Sequence, residues 1–480
     1  MLDPFGTSMV SYAQFIPTST FFKEEPNVTT LAFPNYPPSF ILRRRANWLV
    51  LVITYASLYM GRYNLSIANK QITDTYGWST TQIGTLLSFA SLFYGLAAMF
   101  NGPIVDKFGG RVGMLVGASG ACVFNIAFGL GAYLGFVDTK TTLFLYLTSV
   151  WVLNMYFQSF GALSIIKINA HWYHVKERGR FSAIFGSMIQ LGRAAIYAMA
   201  AIPIVMDWPW QFKFFIPSVA ILLMTIASYL VVQDSPATSG QGELETDDVS
   251  KGDTQKVTFG LVLKKVLTHP VTITITIAEM CTGVMRKGFE DWFPRYMQEA
   301  QHMALDNPVF TKGSFLIVMS GVAGAFAAGY LSDLLAKHRR PPIAAFGYLL
   351  VVLSLTAVAL FSTNLPVVIV AFVTNSFGIS IVHSMLSGTA SMDFGGRKAA
   401  ATATGFFDGM QYVGGSVAGY GIGRLIKGGD WTFWAPSMIG FAVAGGLLML
   451  LIWNARPDRK TKNLWQLSIF GHWEKDKSAS

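Results

Sequence analysis

Apolar runs of about twenty residues recur along this chain from Trp48 to Trp453, and they restrict its fold more than any other feature does. A soluble domain carries about a quarter charged residues, whereas only 13% of the 480 residues here are charged and 52% are hydrophobic. A backbone that crosses lipid must satisfy its own hydrogen bonds, which leaves helices or a closed barrel. The runs are too long and too uniformly apolar for barrel strands, so the sequence predicts an all-α membrane protein.

The apolar runs number twelve, and each predicts one transmembrane helix. A hydrophilic stretch between the sixth and seventh runs divides the chain into two six-helix bundles. The predicted division is a tail over 1–45, a first bundle over 46–232, a linker over 233–269, a second bundle over 270–455 and a tail over 456–480. The predicted spans are 47–68, 80–101, 112–136, 142–167, 180–203, 211–232, 270–292, 312–336, 342–362, 365–387, 399–424 and 431–454.

Basic residues are concentrated in the short loops on one side of the predicted membrane. The net charge of +10 would suggest nucleic acid as a partner of a soluble protein, but in membrane loops basic residues set orientation instead. The cluster Arg43–Arg45 precedes the first run, which predicts a cytoplasmic tail. Both termini are therefore expected in the cytoplasm. The other basic residues predicted to be cytoplasmic are Lys107, Arg111, Lys176, Arg178, Arg180, Lys251, Lys256, Lys264, Lys265, Lys337, Arg339, Arg340, Arg397, Lys398, Arg456, Arg459, Lys460 and Lys462.

Two of the apolar runs contain an arginine, although charge inside a membrane is costly. Arg62 lies in the first run and Arg286 in the seventh, and each carries an insertion cost of about 2.5–3.5 kcal/mol. They occupy matching places in the two halves, because each precedes a Gly-x-x-x-Asp motif by a similar distance. The motifs are Gly102–Asp106 and Gly329–Asp333. Two halves related by an axis along the membrane normal would bring the arginines face to face.

The repeated motif also predicts a gate at the cytoplasmic end of the helices. Each aspartate is followed by a basic loop, with Arg111 shortly after Asp106 in the first half. A carboxylate beside such a loop can form an openable latch between helices. Asp106, Arg111 and Asp333 are therefore predicted gating residues. The alternative for either copy alone is an ordinary charged turn.

Two forked guanidinium groups facing one cavity suggest the chemistry of the ligand. A phosphate group carries about −1.5 to −2 charge at pH 7 and accepts bidentate arginine contacts, whereas a monocarboxylate leaves one cation unpaired. The sequence thus favours a phosphate group as the ligand of Arg62 and Arg286. The alternative is that each arginine pairs with a nearby acid, for example Arg286 with Glu279.

Four stretches of the sequence resemble one family of membrane carriers. They extend from the first run to the eleventh and so cover most of the chain. The family that they resemble is the organophosphate:phosphate antiporters of the major facilitator superfamily, the group of glycerol-3-phosphate and hexose-phosphate transporters. The stretches are Gly61–Ala68, His171–Gly179, Arg286–Trp292 and Arg397–Phe406, the last followed by Tyr412–Ser416.

The resemblance implies a twelve-helix major facilitator fold and assigns roles to particular residues. It implies that Arg62 and Arg286 bind phosphate and that Tyr94 is a cavity tyrosine. It also implies a multi-pass protein of a bacterial inner membrane. The chain departs from the family at four positions where members carry a lysine or a histidine. These positions are Tyr63, Ala98, Ile189 and Phe407.

Other polar residues inside the predicted spans are candidates for holding the organic part of the substrate. Arg193 lies one turn after Gln190 and offers a third cation, with pairing to an acid or snorkelling as its alternatives. Helix–helix hydrogen bonding is the alternative for the uncharged candidates. The full set of predicted substrate-binding residues is Arg62, Arg286, Tyr63, Tyr94, Gln190, Arg193, Gln411 and Tyr412.

Two acids inside the predicted spans could couple transport to protons. Glu279 and Asp408 lie in the seventh and eleventh runs, where loss of water favours the protonated form of a carboxyl. The alternative is that both are hydrogen-bonded contacts between helices.

The sequence therefore predicts a secondary transporter that exchanges an organic phosphate ester, of the glycerol-3-phosphate or sugar-phosphate class, for inorganic phosphate by alternating access. Two alternatives remain open: a proton-coupled symporter of organic anions, and a membrane sensor of sugar phosphates that does not transport. The sequence contains no nucleotide cradle, metal-ligand cluster or nucleophile elbow, so neither an enzyme nor a cofactor is expected. The expected partners are the phosphorylated substrate, inorganic phosphate and the lipid bilayer, with no nucleic acid and a monomeric carrier.

Overall fold

The computed structural model describes residues 30–31, 35–131, 133, 140–174, 177–245, 260, 268, 270–334, 339–389, 400–455 and 467–468. Helices dominate these residues, and twelve transmembrane spans follow one another in the predicted order. Their bounds are Pro38–Tyr76 (span 1), Thr80–Phe108 (span 2), Gly110–Leu130 (span 3), Lys140–Gln158 with Phe160–Trp172 (span 4), Arg178–Ala200 (span 5), Phe212–Val231 (span 6), Pro270–Glu290 with Phe293–Glu299 (span 7), Pro308–Leu334 (span 8), Pro341–Leu360 (span 9), Leu365–His383 with the π-helix Ser384–Thr389 (span 10), Ala400–Leu425 (span 11) and Trp434–Leu451 (span 12).

The prediction of an all-α membrane protein with twelve helices is confirmed, but the bounds of several spans differ from those predicted. Span 1 extends beyond 47–68 at both ends. Pro38 starts it with a preset backbone angle, and Gly77, at a φ of 63°, ends it in the left-handed conformation. The apolar run in the sequence marks only the part of such a helix that lies in lipid. The predicted span therefore leaves out the polar turns at both ends of the helix.

Short elements outside the spans also escaped prediction. Thr30–Leu31 in the N-terminal tail pairs in parallel with Glu243–Leu244, just after span 6. A short helix, Pro203–Asp207, and a 3₁₀ turn, Ala237–Ser239, complete the described elements. Two-residue strands are too short to give an alternating pattern in the sequence.

Eight of the described helices are long and apolar enough to cross a membrane by composition alone. Spans 1, 5, 7 and 11 are not among them, and they carry Arg62, Arg193, Arg286 and Asp408 respectively. Their polar side chains are buried within the protein. In span 6, by contrast, only 28% of the apolar stretch is buried within the protein. Leu222 and Leu223 are exposed, as expected for a helix whose outer face meets lipid.

The two halves meet mainly where span 2 packs against span 11 and where span 5 packs against span 8. Spans 2 and 11 stay in contact along their length: the Thr81 hydroxyl donates to the Gly423 carbonyl near one end, and Asp106 accepts from Thr402 at the other. Span 11 also crosses span 7 at Gly283, where an added Cβ would lie 1.7 Å from the carbonyl oxygen of Gln411. This crossing brings Arg286 and Gln411 together.

Candidate functional site

Arg62 is buried in the middle of span 1, with 4% of its surface exposed. Its Nε donates to Gln158 Oε1 at 2.9 Å and its Nη1 to the Tyr412 hydroxyl at 2.6 Å. Its guanidinium carbon lies 4.3 Å from the ring centroid of Tyr59 and 4.7 Å from that of Tyr94. Nη2 has no hydrogen-bond partner among the described residues. Ring faces and neutral oxygens thus surround Arg62, and no described carboxylate forms a salt bridge with it.

Arg286 has a carboxylate partner that was not among the predicted site residues. Its Nε donates to Glu290 Oε1 at 3.2 Å, one helical turn further along span 7. The same Oε1 accepts from Arg193 Nη1 at 3.3 Å, and Glu290 Oε2 accepts from the Tyr63 hydroxyl. Arg193 and Tyr63 belong to the first half, so Glu290 joins the halves through both carboxylate oxygens.

Tyr59 stands between Arg62 and Arg286. Its ring faces Arg62, and its hydroxyl accepts from Arg286 Nη2 at 3.5 Å. The structure therefore brings together the two arginines that the internal repeat pairs, although they do not touch. Tyr63 lies one turn further on, with the Arg193 guanidinium 5.6 Å from its ring centroid.

Gln411 connects Arg286 to Glu279, the acid named as its alternative partner. Its Oε1 accepts from Arg286 Nη1 at 2.7 Å, while its Nε2 lies 2.7 Å from Glu279 Oε2 and 3.0 Å from His383 Nδ1. The acid that pairs with Arg286 is therefore Glu290 and not the alternative Glu279, which Gln411 separates from Arg286. Glu279 Oε1 is buried without a partner among the described residues.

Asp408 and the tyrosines of spans 2 and 11 form the remaining wall around Arg62. The rings of Tyr94 and Tyr412 lie 3.8 Å apart between centroids. The Tyr94 hydroxyl donates to Asp408 Oδ2 at 3.5 Å. Asp408 is therefore one residue away from the Arg62 guanidinium, linked to it through Tyr94.

A small cavity of about 30 Å³ lies on the Arg193 side of Arg286. It has room for about two water molecules and is too small for a phosphate ester. Gln190 lines it, accepting from Arg193 Nη1 at 3.3 Å and donating to Ser380 Oγ at 3.4 Å. Binding of any organic phosphate here requires the surrounding helices to move apart.

The predicted gating residues lie in different surroundings. Asp106 accepts from Lys167 Nζ at 2.9 Å and from the Thr402 hydroxyl at 2.7 Å, so it joins spans 2, 4 and 11 across the halves. Arg111 donates to the Tyr229 carbonyl at 2.7 Å, and its backbone N–H donates to Asp234, at the start of the linker, at 2.8 Å. Neither contact reaches the second bundle. The side chain of Asp333 lies outside the described residues.

The opposite end of the bundle has its own contact between the halves. Arg295 Nη1 donates to Asn69 Oδ1 at 2.8 Å, and Arg295 Nε to Glu299 at 2.8 Å. Asn69 lies two turns beyond Arg62, roughly 10 Å along the helix. Arg295 also lines a wider cavity of about 630 Å³ that Lys70 and Lys427 share. The Arg295–Asn69 contact thus lies between this cavity and the central arginines.

Sequence reasoning missed Glu290, Tyr59 and Gln158. Glu290 follows Arg286 by four residues, the spacing at which opposite charges meet on a helix, so this signal was present in the sequence. Lys287 and Asp291 repeat the spacing and pair at 2.7 Å. Tyr59 and Gln158 gave no such signal, because their role depends on how spans 1 and 4 pack.

Comparison with known proteins identifies the superfamily to which this chain belongs. The profile of the Major Facilitator Superfamily matches residues 51–419, and the chain belongs to that superfamily. A bacterial homologue of the human lysosomal transporter Spinster, crystallised in an inward-facing and unoccupied conformation, shares the fold with a TM-score of 0.59 at 14% identity, over 85% of this chain and 93% of that one.

The names of several similar proteins give functions narrower than the superfamily. The chain is 24% identical to the glycerol-3-phosphate transporter of Bacillus subtilis, over 90% of this chain and 97% of that protein. It is 27% identical to the membrane sensor protein UhpC of Escherichia coli, over 87% and 93%. It is 24% identical to the hexose-6-phosphate:phosphate antiporter of Salmonella typhimurium, over 88% and 93%. The predicted resemblance to organophosphate carriers is confirmed.

Proposed function

We propose that this protein is a secondary transporter that exchanges an organic phosphate ester, of the glycerol-3-phosphate or sugar-phosphate class, for inorganic phosphate by alternating access. The observation that carries the proposal is the cluster of three buried arginines, Arg62, Arg193 and Arg286, at the interface of the halves. Arg62 has an unpartnered Nη2, and no described carboxylate forms a salt bridge with it. A phosphate dianion supplies the charge and the several acceptor oxygens that such a cluster can bind.

The names of the relatives support this class of substrate. A glycerol-3-phosphate transporter and a hexose-6-phosphate:phosphate antiporter both match nearly the whole chain. In the proposed cycle, phosphate bridges Arg62 and Arg286, the halves rock about the bound substrate, and the Asp106 and Arg295 contacts open in turn. The proposal includes the division into bundles over 46–232 and 270–455, a monomeric carrier in a bacterial inner membrane, cytoplasmic termini, and no enzymatic activity.

The proposal is tested with purified protein in liposomes loaded with inorganic phosphate. Uptake of labelled phosphate, glycerol-3-phosphate or hexose phosphate is expected to depend on phosphate inside. Non-phosphorylated sugars and monocarboxylates should neither be taken up nor compete. Uptake that ignores internal phosphate but follows an imposed pH gradient would instead support the proton-coupled symporter, for which Glu279 and Asp408 are the buried candidates.

The similarity to the sensor UhpC keeps a second candidate function, a receptor that binds a sugar phosphate without transporting it. The two functions separate cleanly in one comparison. A thermal-shift panel of phosphate esters reports binding, and the liposome assay reports movement. Binding with no flux in either direction would favour the receptor.

A further inference from the structure

The wider cavity at the Arg295 end of the bundle has a basic lining that the proposed cycle does not use. Residues of both halves line its volume of about 630 Å³. Lys70 comes from the end of span 1, Arg295 from the end of span 7, and Lys427 from the loop after span 11. Glu299 is the one acid among the described residues that line it. Because three cations accompany a single carboxylate, the cavity has an excess of positive charge.

The three cations keep much of their capacity to bind an anion. Lys70 pairs with Asp74 at 2.7 Å, but with 33% and 60% of the two side chains exposed, water screens this pair. Arg295 bonds to described residues only through its Nε and Nη1, the former to Glu299. Lys427 forms no salt bridge with a described carboxylate. An anion in the cavity would therefore meet Lys427 and the Nη2 of Arg295 without displacing an acid from either group.

Buried hydrogen-bonding groups and a helix end add to this basic lining. Trp78 and Thr80 line the cavity with 5% and 7% of their surface exposed. Neither Trp78 Nε1 nor Thr80 Oγ1 has a partner among the described residues, and buried polar groups without a partner are uncommon. Thr80 is also the first residue of span 2, where free backbone N–H groups and the helix dipole favour an anion. All of these features suit an anion with several acceptor oxygens, such as a phosphate group.

The position of the cavity favours the substrate as the source of that phosphate group. The cavity lies beyond the Arg295–Asn69 contact, on the side away from Arg62. Lys70 and Arg295 belong to spans 1 and 7, the same two helices that carry Arg62 and Arg286. A substrate that reaches the central arginines from this end of the bundle therefore passes the basic lining first.

We propose that this cavity is a second binding site for the phosphate group of the substrate, occupied before the substrate reaches Arg62. This inference rests on the proposed function and adds an entry site to it. The site raises the concentration of anionic substrate at one end of the carrier. In the proposed orientation this is the outer end, opposite the cytoplasmic termini. Loss of a cation from the site should weaken capture of substrate from that end alone.

The first test measures uptake of labelled phosphate into phosphate-loaded membrane vesicles, either right-side-out or inside-out, that contain the unmodified protein or Lys427→Gln. In right-side-out vesicles the KM should rise about threefold or more, because the entry site has lost a charge. Vmax should stay within about twofold, since Arg62 and Arg286 are unchanged. In inside-out vesicles the KM should not change, because the substrate enters at the other end. Lys427→Arg keeps the charge and should restore the normal KM.

Lys312→Gln is the matched control for this test. Lys312 is exposed in the first turns of span 8, at the same end of the bundle, and does not line the cavity. The control removes the same charge and should leave the KM unchanged in both kinds of vesicle. An unchanged KM in Lys427→Gln, or an equal rise in the two kinds of vesicle, would overturn the entry site and leave the proposed function intact. Absence of uptake by the unmodified protein would refute the proposed function and this inference with it.

A second test separates the substrate from a lipid headgroup as the source of the phosphate group. The KM of the unmodified protein and of Lys427→Gln is measured in liposomes of phosphatidylcholine alone and of phosphatidylcholine with phosphatidylglycerol. If the substrate occupies the cavity, the variant has the higher KM in both kinds of liposome. A higher KM only in the presence of the anionic lipid would assign the cavity to a lipid headgroup and overturn the proposal.

Discussion

At the scale of single residues, the protein stabilises its buried arginines in two different ways. Arg193 and Arg286 share a carboxylate, whereas Arg62 relies on two aromatic faces and two neutral oxygens. A cation over an aromatic face gains about 0.5–2 kcal/mol depending on desolvation, and a hydrogen bond from a charged group about 1.5–3 kcal/mol. These contacts depend on the planar, forked shape of the guanidinium group, so they are specific to arginine.

Arg62→Lys is therefore expected to impair transport even though it keeps the charge. A lysine cannot reach Gln158 and Tyr412 at once or stack between Tyr59 and Tyr94. We expect phosphate exchange to fall about 10- to 100-fold, equivalent to about 1.4–2.7 kcal/mol. The measurement is the liposome exchange assay, with Arg44→Lys as the control at a site outside the cavity. If Arg62→Lys exchanged phosphate at the normal rate, the forked guanidinium group of Arg62 would not be required.

How far the sequence predicts this cluster depends on the kind of contact. Arg62 and Arg286 stand out because a charge in an apolar run is rare, and the internal repeat pairs them. The contact between Arg286 and Glu290 can be predicted, because residues four apart lie on the same face of a helix. The contacts of Tyr59 and Gln158 cannot, because nothing in the local sequence shows which face of span 1 meets span 4. Arg111 illustrates the same limit, since its partners Tyr229 and Asp234 lie far along the chain.

At the scale of elements, close helix crossings determine where the charged side chains meet. Gly283 lets the backbone of span 7 approach that of span 11 so closely that Arg286 reaches Gln411. Small residues at crossings are common in membrane helices, where packing rather than the hydrophobic effect holds helices together. Spans 3, 5 and 11 contain many glycines, but the sequence does not show at which glycines two helices cross.

Gly283→Ala should push these two helices apart. The new Cβ would lie 1.7 Å from the Gln411 carbonyl oxygen, and overpacking of this kind costs about 1–3 kcal/mol. The thermal unfolding midpoint of the detergent-solubilised protein should fall by several degrees. Gly440→Ala is the control: its Cβ meets nothing within 4 Å, and alanine favours a helix over glycine by up to about 1 kcal/mol. Equal midpoints for the two variants would argue against a tight crossing.

At the scale of the whole molecule, the two halves are joined by polar contacts on either side of the arginines. Asp106 joins spans 2, 4 and 11 at one end, and Arg295 joins spans 1 and 7 at the other. Each is a small set of hydrogen bonds to charged groups, of about 1.5–3 kcal/mol apiece. Contacts of this size can hold an end closed and still break when substrate binding favours the opposite arrangement.

Arg295→Gln is expected to favour opening of its own end, because it removes the charge from the bond to Asn69. Without this charged hydrogen bond, the fraction of molecules that are open at the Arg295 end should rise about tenfold or more. Spin labels at Thr75 and Arg424, exposed positions of opposite halves, would report this as longer distances in pulsed electron resonance. Lys70→Gln serves as control, since Lys70 pairs only with Asp74 within span 1 among the described residues. Identical distance distributions in the two variants would exclude this contact as a gate.

The polar character of span 7 has a further consequence for how the protein is made. Span 7 is not among the helices that are apolar enough by composition to cross a membrane, and such a helix does not readily enter lipid alone while the chain is still on the ribosome. The partners Tyr63 and Arg193 have been synthesised by then, but Gln411 emerges later, after a delay on the order of ten seconds at typical rates of synthesis. A chain truncated after His383 should therefore integrate span 7 less efficiently than the full chain in a glycosylation-site assay. Span 9, with a mean hydropathy of 2.4, should integrate equally in both, so the buried contacts of Arg286 would also govern the order of assembly in the membrane.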